Sequence, residues 1–285
     1  MNTQVQAQAR VSVHGGHSGQ FCGHARDTLE AVIQAYIRAG FSWVGITEHM
    51  PPPDDRFVFP EEKNAGLDAS ALKRRFGDYI RTCRQLQARY AERIQIFVGV
   101  ETEACTGAIS LAKALVSEFS PDYVVGSVHH VKDIAFDASP AEYEKAAARC
   151  GGVDGLYIAY FDAQYEMIRA LKPRVVGHLD VIRIYDPAYP DRLANPVIWE
   201  KIMRNLELIR ELDLILDFNL RPLSRGERDP YLFAPILDAA RKLGIDVIPG
   251  DDSHGVMDIG TRYVDIAIEQ LRALGFSTRW KTPVL

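Results

Sequence analysis

The sequence predicts an α/β fold, a parallel β/α (TIM-like) barrel formed as a single domain over residues 1–285. Three observations predict it. Short runs rich in valine and isoleucine recur along the chain, each closed by polar residues, as expected of strands buried on both faces of a parallel sheet. Helical patterns alternate with these runs from end to end. A length of 285 residues suits one such barrel,. An open doubly wound sheet is the alternative reading of the same alternation.

The first strand candidate, 11–14 (VSVH), runs into a loop rich in glycine and histidine, GGHSGQFCGHA. Asp27-Thr28-Leu29-Glu30 then has the form of a capping box, opening a helix that reads LEAVIQAYIRA and ends at Gly40,. Strand 42–49 follows. The segment after it, MPPPDDRFVFPEEKNAG (50–66), is the longest irregular piece. Its prolines argue against any regular element there, and a loop of that length after a strand is a candidate active-site lid. Helix 68–93 leads to strand 94–101, helix 108–118 to strand 123–129, and helices 140–150 and 155–171 to strand 174–178. Helix 196–211 precedes strand 214–219, helix 231–243 precedes strand 246–251, and helix 261–274 closes the series.

Composition narrows the function classes. With 47% hydrophobic and 25% charged residues, the chain has an ordinary globular balance and needs no disulfide or structural metal merely to fold. A net charge of −5 without a basic run argues against nucleic acid or an anionic membrane as partner. The N-terminal MNTQVQAQAR lacks an apolar core, so no signal peptide is expected. No apolar run approaches the roughly 18 residues of a membrane span. Cys22, Cys83, Cys105 and Cys150 show no CxxC spacing and read as reduced thiols of a cytoplasmic protein.

The eight histidines carry the chemistry. His14, His49, His129 and His178 each end a predicted strand, His254 closely follows another, and His17 and His24 lie in the loop after strand one. Glu48, Glu101, Glu103, Asp180, Asn219, Asp251 and Asp252 occupy the same strand ends. In a parallel barrel those ends converge on one face, which carries the active site. Imidazole and carboxylate together suit zinc, iron or manganese without thiolates, and so many candidate ligands fit two or three divalent ions better than one. Successive strand residues point to opposite faces, so His129 and His130 are not both expected at the site. Glu103, one step beyond Glu101, reads as solvated, and Cys22 as a small loop residue.

Seven motifs in order, GHSGQFCGHARDTLE, WVGITEHMP, FVGVETEA, YVVGSVHHV, RVVGHLDVIRIYD, LDFNLRPLSRG and GDDSHG, make the chain similar to the PHP (polymerase and histidinol phosphatase) superfamily, in particular its histidinol-phosphatase branch. The resemblance covers nearly the whole chain and implies a distorted seven-stranded barrel with a trinuclear metal centre, zinc first and manganese or iron as alternatives. Its ligands carry over to His17, His49, Glu101, His129, His178, Asp252 and His254, with Glu101 bridging. The family's first motif is H-x-H, whereas this chain has His14-Gly-Gly-His17. A one-residue bulge at the glycines would bring His14 to the metal; without it that ligand is missing. Glu48 stands where the superfamily often has Asp.

The implied reaction is hydrolysis of a small phosphate monoester, L-histidinol phosphate in histidine biosynthesis, by a hydroxide bridging the metals. Glu101, Asp252 and His254 take the catalytic roles, with Asp252 or a neighbouring histidine managing the proton. Arg183 is the first candidate for a phosphate clamp, since guanidinium matches phosphate bidentately, and Arg221, Arg225 and His24 are further substrate contacts. Glu48, Glu103 or Asp180 would meet the substrate amine. The partner is then a small phosphorylated metabolite. Rival readings are a PHP phosphoesterase for another monoester or a nucleotide diester, an amidohydrolase-type barrel, and a non-catalytic metal-storage or regulatory module.

Overall fold

Alternation along the strands decides what fills the barrel and what lines its top. In the computed structural model, which describes residues 9–284, the strands in chain order are β1 (Arg10–Ser12), β2 (Phe41–Ile46), β3 (Gln95–Glu101), β4 (Tyr123–Gly126), a hairpin of β5 (His130–Val131) and β6 (Ile134–Ala135), β7 (Val175–Val176), β8 (Ile215–Asn219) and β9 (Asp246–Gly250). Seven of them pair in the order β1-β2-β3-β4-β7-β8-β9, and every pairing in this sheet is parallel. Beyond the ladder ends, Val13 N donates to Pro249 O at 2.9 Å and Asp252 N to His14 O at 2.9 Å, drawing the last strand against the first. This is the distorted seven-stranded barrel the sequence implies.

On β3, Phe97 joins an inner apolar cluster, while Ile96, Val98 and Val100 pack outward under the helices. On β8, Ile215 faces in and Leu216 and Phe218 face out. The same two-residue period carries Glu101, Asp217 and Asn219 inward at the upper ends of these strands. The floor is apolar and the top is acidic.

The helices are α1 (Leu29–Arg38), α2 (Pro60–Asn64), α3 (Ala69–Arg89), α4 (Ala108–Phe119), α5 (Pro140–Arg149) and α6 (Val153–Leu171). They continue as α7 (Tyr189–Leu193), α8 (Pro196–Glu211), α9 (Arg221–Ser224), α10 (Ala234–Leu243) and α11 (Thr261–Ala273). The long α3 is tied to the sheet by Tyr79, whose hydroxyl lies 2.8 Å from Ile46 O and 2.6 Å from Gly99 O. Among the described residues no helix is long and apolar enough to cross a membrane.

Four expectations are corrected. Segment 50–66 holds a 3₁₀ turn at Asp55–Phe57 and the helix α2; Pro60 sits at the start of α2, where its missing N–H costs nothing. The N-cap lies one residue on and the box does not form: Thr28 caps α1 by accepting from Ala31 N at 3.2 Å, while Glu30 turns to Tyr90 and Arg89. Asp27 (φ 67°) accepts from Val256 N instead. The helix expected from residue 231 begins at Ala234, because Leu232 N and Phe233 N are held by the Asp180 carboxylate at 2.6 and 2.9 Å. The strands expected over 123–129 and 174–178 end at Gly126 and Val176, so their histidines stand on the loops just beyond.

Tyr123 crosses the floor, its hydroxyl donating to Val13 O at 2.6 Å. A Cβ on Gly45 would lie 1.7 Å from the Tyr123 hydroxyl oxygen, and one on Gly99 would lie 2.9 Å from its ring. Gly45→Ala is therefore expected to destabilise the chain by about 1–3 kcal/mol or more through overpacking, seen as a lower Tm. Adding Tyr123→Phe to that variant should recover part of the loss. A Gly45→Ala chain as stable as the parent would refute this packing account.

Candidate metal centre

Glu101, at the end of β3 and 1% exposed, is surrounded by five imidazoles. His178 Nε2 and His129 Nε2 lie 2.9 and 3.1 Å from its Oε1. His49 Nδ1, His14 Nε2 and His17 Nε2 lie 3.2, 3.4 and 3.6 Å from its Oε2. Asp252 continues the cluster, its Oδ1 3.4 Å from His17 Nε2 and 3.6 Å from His254 Nδ1. The structure thus brings together all eight residues implied as ligands, His14 included. The two glycines of HGGH make this possible: a Cβ on Gly15 would meet Gly45 O at 2.1 Å, and one on Gly16 would meet Val32 Cγ1 at 2.5 Å. His178 (φ 20°) and Asp252 (φ 45°) also adopt backbone angles that few side-chain-bearing residues take, the kind of strain that concentrates at functional sites.

The donor set fits divalent ions. Overlapping groups, His14-His17-Asp252, His14-Glu101-His178 and His49-Glu103-His129, each offer ligand atoms within 4.8 Å of one another. His14 Nε2, both ring nitrogens of His17 and of His49, and His178 Nδ1 are buried without a hydrogen-bond partner. Orphaned buried nitrogens are costly, and a cation would satisfy them. Burial holds His17 down at about 4, so it is neutral near pH 7 with a lone pair to offer. Burial alone would raise Glu101, but His14, His49 and His129 outweigh it and hold the carboxyl well below its usual range.

A second layer orients the first. His14 Nδ1 lies 2.9 Å from Asp217 Oδ2, and Asn219 Nδ2 donates to Asp217 at 2.9 Å and to Asp252 at 3.1 Å. His129 Nδ1 lies 2.7 Å from Asp137 Oδ2. Carboxylates behind ligating imidazoles fix tautomer and ring direction. Sequence reasoning missed both aspartates. Asp217 had a signal, since it shares parity with the noted Asn219; Asp137 had none, because it follows the unanticipated β5–β6 hairpin.

A mouth of about 980 Å³ opens above the cluster. Arg221 and Arg225 line it, and Arg221 Nη1 donates to Asp252 O at 2.7 Å. His24 lies there too, its ring stacked on His254 at 4.9 Å and 5.3 Å from His49. Arg183 does not. It is 4% exposed, its Nη2 donates to Asp229 O and Pro230 O, and its guanidinium lies between the rings of Tyr189 and Tyr231. That placement corrects the expected phosphate clamp: Arg183 holds the 227–232 loop. Asp180, fully buried against Leu232 and Phe233, is likewise occupied. Glu103 is buried rather than solvated, 3.1 Å from His130 Nδ1 and 3.5 Å from His49 Nδ1. Glu48 accepts from Ser18 N and Oγ, and burial pushes it up to about 7. Cys22, expected as a plain loop residue, belongs to a further candidate ligand group with His17, His49 and His254.

The PHP domain family model matches residues 15–221. The chain belongs to the PHP domain family. Among curated relatives it is 35% identical over 257 residues to a Schizosaccharomyces pombe protein named "Probable histidinol-phosphatase", covering 89% of this chain and 83% of that one. It is 28% identical over 286 residues to the Saccharomyces cerevisiae histidinol-phosphatase, covering 88% and 85% of the two chains. Its PHP fold superposes on the crystal structure of a Lactococcus lactis histidinol phosphate phosphatase complexed with zinc, L-histidinol and phosphate, with a TM-score of 0.73 at 21% identity over 94% of each chain.

Replacing Asp217 by Asn removes the carboxylate behind His14 and leaves the ligand itself in place. Zinc affinity, measured by competition with a chromogenic chelator, is expected to fall about 10–100-fold. Unchanged affinity would deny Asp217 its orienting role.

Proposed function

We propose that this PHP domain is a metal-dependent phosphomonoesterase that hydrolyses L-histidinol phosphate to L-histidinol and phosphate. The convergence of five imidazoles on the buried Glu101, beneath a mouth lined by Arg221 and Arg225, carries the reading. The names of the relatives support the substrate, as does the presence of zinc, histidinol and phosphate in the Lactococcus protein. His14, His17, His49, Glu101, His129, His178, Asp252 and His254 would hold two or three divalent ions, with zinc first. Bound there, such ions acidify water and neutralise charge on a phosphoryl group.

The chain's own residues do the rest. Arg221, held by its bond to Asp252 O, and Arg225 present guanidinium groups to the phosphate oxygens,. Asp252 has its Oδ2 anchored by Asn219, leaving Oδ1, beside His17 and His254, to take the proton of the attacking water. Of the carboxylates considered for the substrate amine, Glu103 lines the mouth and Asp180 is spent on the 232–233 backbone. His24, beside His254 and His49, also faces the substrate space.

Purified protein loaded in turn with zinc, manganese and iron should release phosphate from histidinol phosphate far faster than from other monoesters, diesters or amides. Glu101→Ala and His129→Ala should each abolish that release. Preference for another ester would keep the site and replace the substrate, while turnover of amides alone, or none despite bound metal, would overturn the reading. Arg221→Ala is expected to lower kcat/KM by roughly 10²–10³-fold, as for loss of one charge-stabilising donor. Arg183→Lys should mainly lower Tm; a drop in kcat/KM as large as that of Arg221→Ala would return Arg183 to the phosphate.

A further inference from the structure

The 227–232 loop that Arg183 holds presents one tyrosine to the mouth. Tyr231 N donates to Asn219 O at 3.0 Å, which ties its backbone to the end of β8, the strand whose Asp217 and Asn219 brace His14 and Asp252. Its ring meets the Arg183 guanidinium at 4.8 Å and the His178 imidazole at 6.1 Å, centroid to centroid. Leu232, next along, is fixed by the Asp180 carboxylate. Tyr231 is thus held from several sides and is only 2% exposed, yet it lines the mouth. Buried tyrosine hydroxyls ordinarily find a partner, and those of Tyr36, Tyr79, Tyr123, Tyr157 and Tyr160 do. Among the described residues the Tyr231 hydroxyl has none, and it is not sealed off by protein.

We propose that Tyr231 is a further catalytic residue, donating a hydrogen bond from its hydroxyl to a non-bridging phosphate oxygen of the substrate beside Arg221 and Arg225. The inference rests on the phosphomonoesterase reading above. The charged groups that act on Tyr231 are Glu227, Arg225, Arg183 and Asp180, and of these only Arg225 lines the mouth. Arg221 also lies within electrostatic range of Tyr231. The hydroxyl therefore belongs to the guanidinium side of the mouth, and Glu103, a candidate for the substrate amine, is not among its neighbours. A phenol with an ordinary pKa of about 10 is protonated at pH 7, so it adds a donor without adding charge. The arginines attract the anion from flexible stems, whereas the clamped ring fixes a direction. A donor already in place gains strength as charge shifts on the phosphoryl oxygens in the transition state.

Tyr231→Phe keeps the ring and removes only the hydroxyl. Zinc-loaded parent and variant are compared for turnover of histidinol phosphate, for inhibition by inorganic phosphate and by histidinol, and for zinc content and Tm. The expected result is a kcat/KM lowered about 10–100-fold, as for loss of a hydrogen bond to a charged group, and phosphate inhibition weakened at least about threefold. Zinc content, Tm and histidinol inhibition should stay as in the parent, because no protein group loses a partner. Tyr189→Phe, which releases Asp229 on the other face of Arg183, should lower Tm and leave phosphate inhibition unchanged. An undiminished kcat/KM in Tyr231→Phe, equal weakening of phosphate and histidinol inhibition, or an equal loss in Tyr189→Phe would overturn the proposal and leave the phosphomonoesterase reading intact. A parent chain that hydrolyses no phosphate ester despite bound zinc would overturn both.

Discussion

A carboxylate buried among imidazoles is the constraint on which the rest depends. Glu101 has almost no contact with solvent, and a lone charge in that position would be prohibitively costly. It is tolerated because five histidines arrive from four places in the chain. Two come from the turn after β1, one from the end of β2, one from beyond β4 and one from beyond β7. The barrel is the device that brings these ends together. His49 even pairs with Glu101 through an isolated parallel bridge, so the backbone register of β2 on β3 sets the distance between their side chains. A slip of one residue would turn the acid outward into the helical layer.

The environment around Glu101 sorts the neighbouring groups. His14 is fully buried, which by itself favours the neutral ring, yet Glu101, Asp252 and Asp217 overcome this and raise it. His254 is pushed well down, by burial first and by His17 and Arg221 after it. Asp251, turned away from the centre toward Ser12 and Tyr36, is pushed up to about 7 by burial. Adjacent acids in one short loop therefore differ sharply: Asp252 stays ionised inside the cluster, and Asp251 braces β1 and α1 behind it.

Much of this was readable in the sequence, and the reason is geometric. In a parallel barrel the strand ends share one face, so a histidine at each end is already a spatial statement, and the eight implied ligands do gather. What escaped depends on turns rather than periods. Asp137 needs the β5–β6 hairpin, whose positive-φ residues Lys132 and Asp133 carry no glycine signal. Arg183 has the guanidinium a phosphate clamp needs, but a 3₁₀ turn at Val181–Arg183 rotates it into the protein, between two tyrosines. Glu103 reads as solvated from its step beyond Glu101, and Cys22 as a small loop residue, when the decisive fact is what other loops bring against them. The prolines of 50–66 argue against a regular element, yet Pro60, at a first helical position, starts one,.

The floor of the barrel has a consequence of its own. Tyr123 spans the interior in the space left by Gly45 and Gly99, Trp43 and Phe97 pack at 5.6 Å beside it, and Trp280 of the C-terminal segment closes over the inner cluster with its indole N–H on Ala9 O. Among the described residues this packing closes the lower end of the barrel. The mouth above the cluster is bordered by Arg221, Arg225 and residues 56–61 of the 50–66 segment. On the proposed function, a product anion leaving by that mouth passes the same two guanidinium groups that would receive the next substrate.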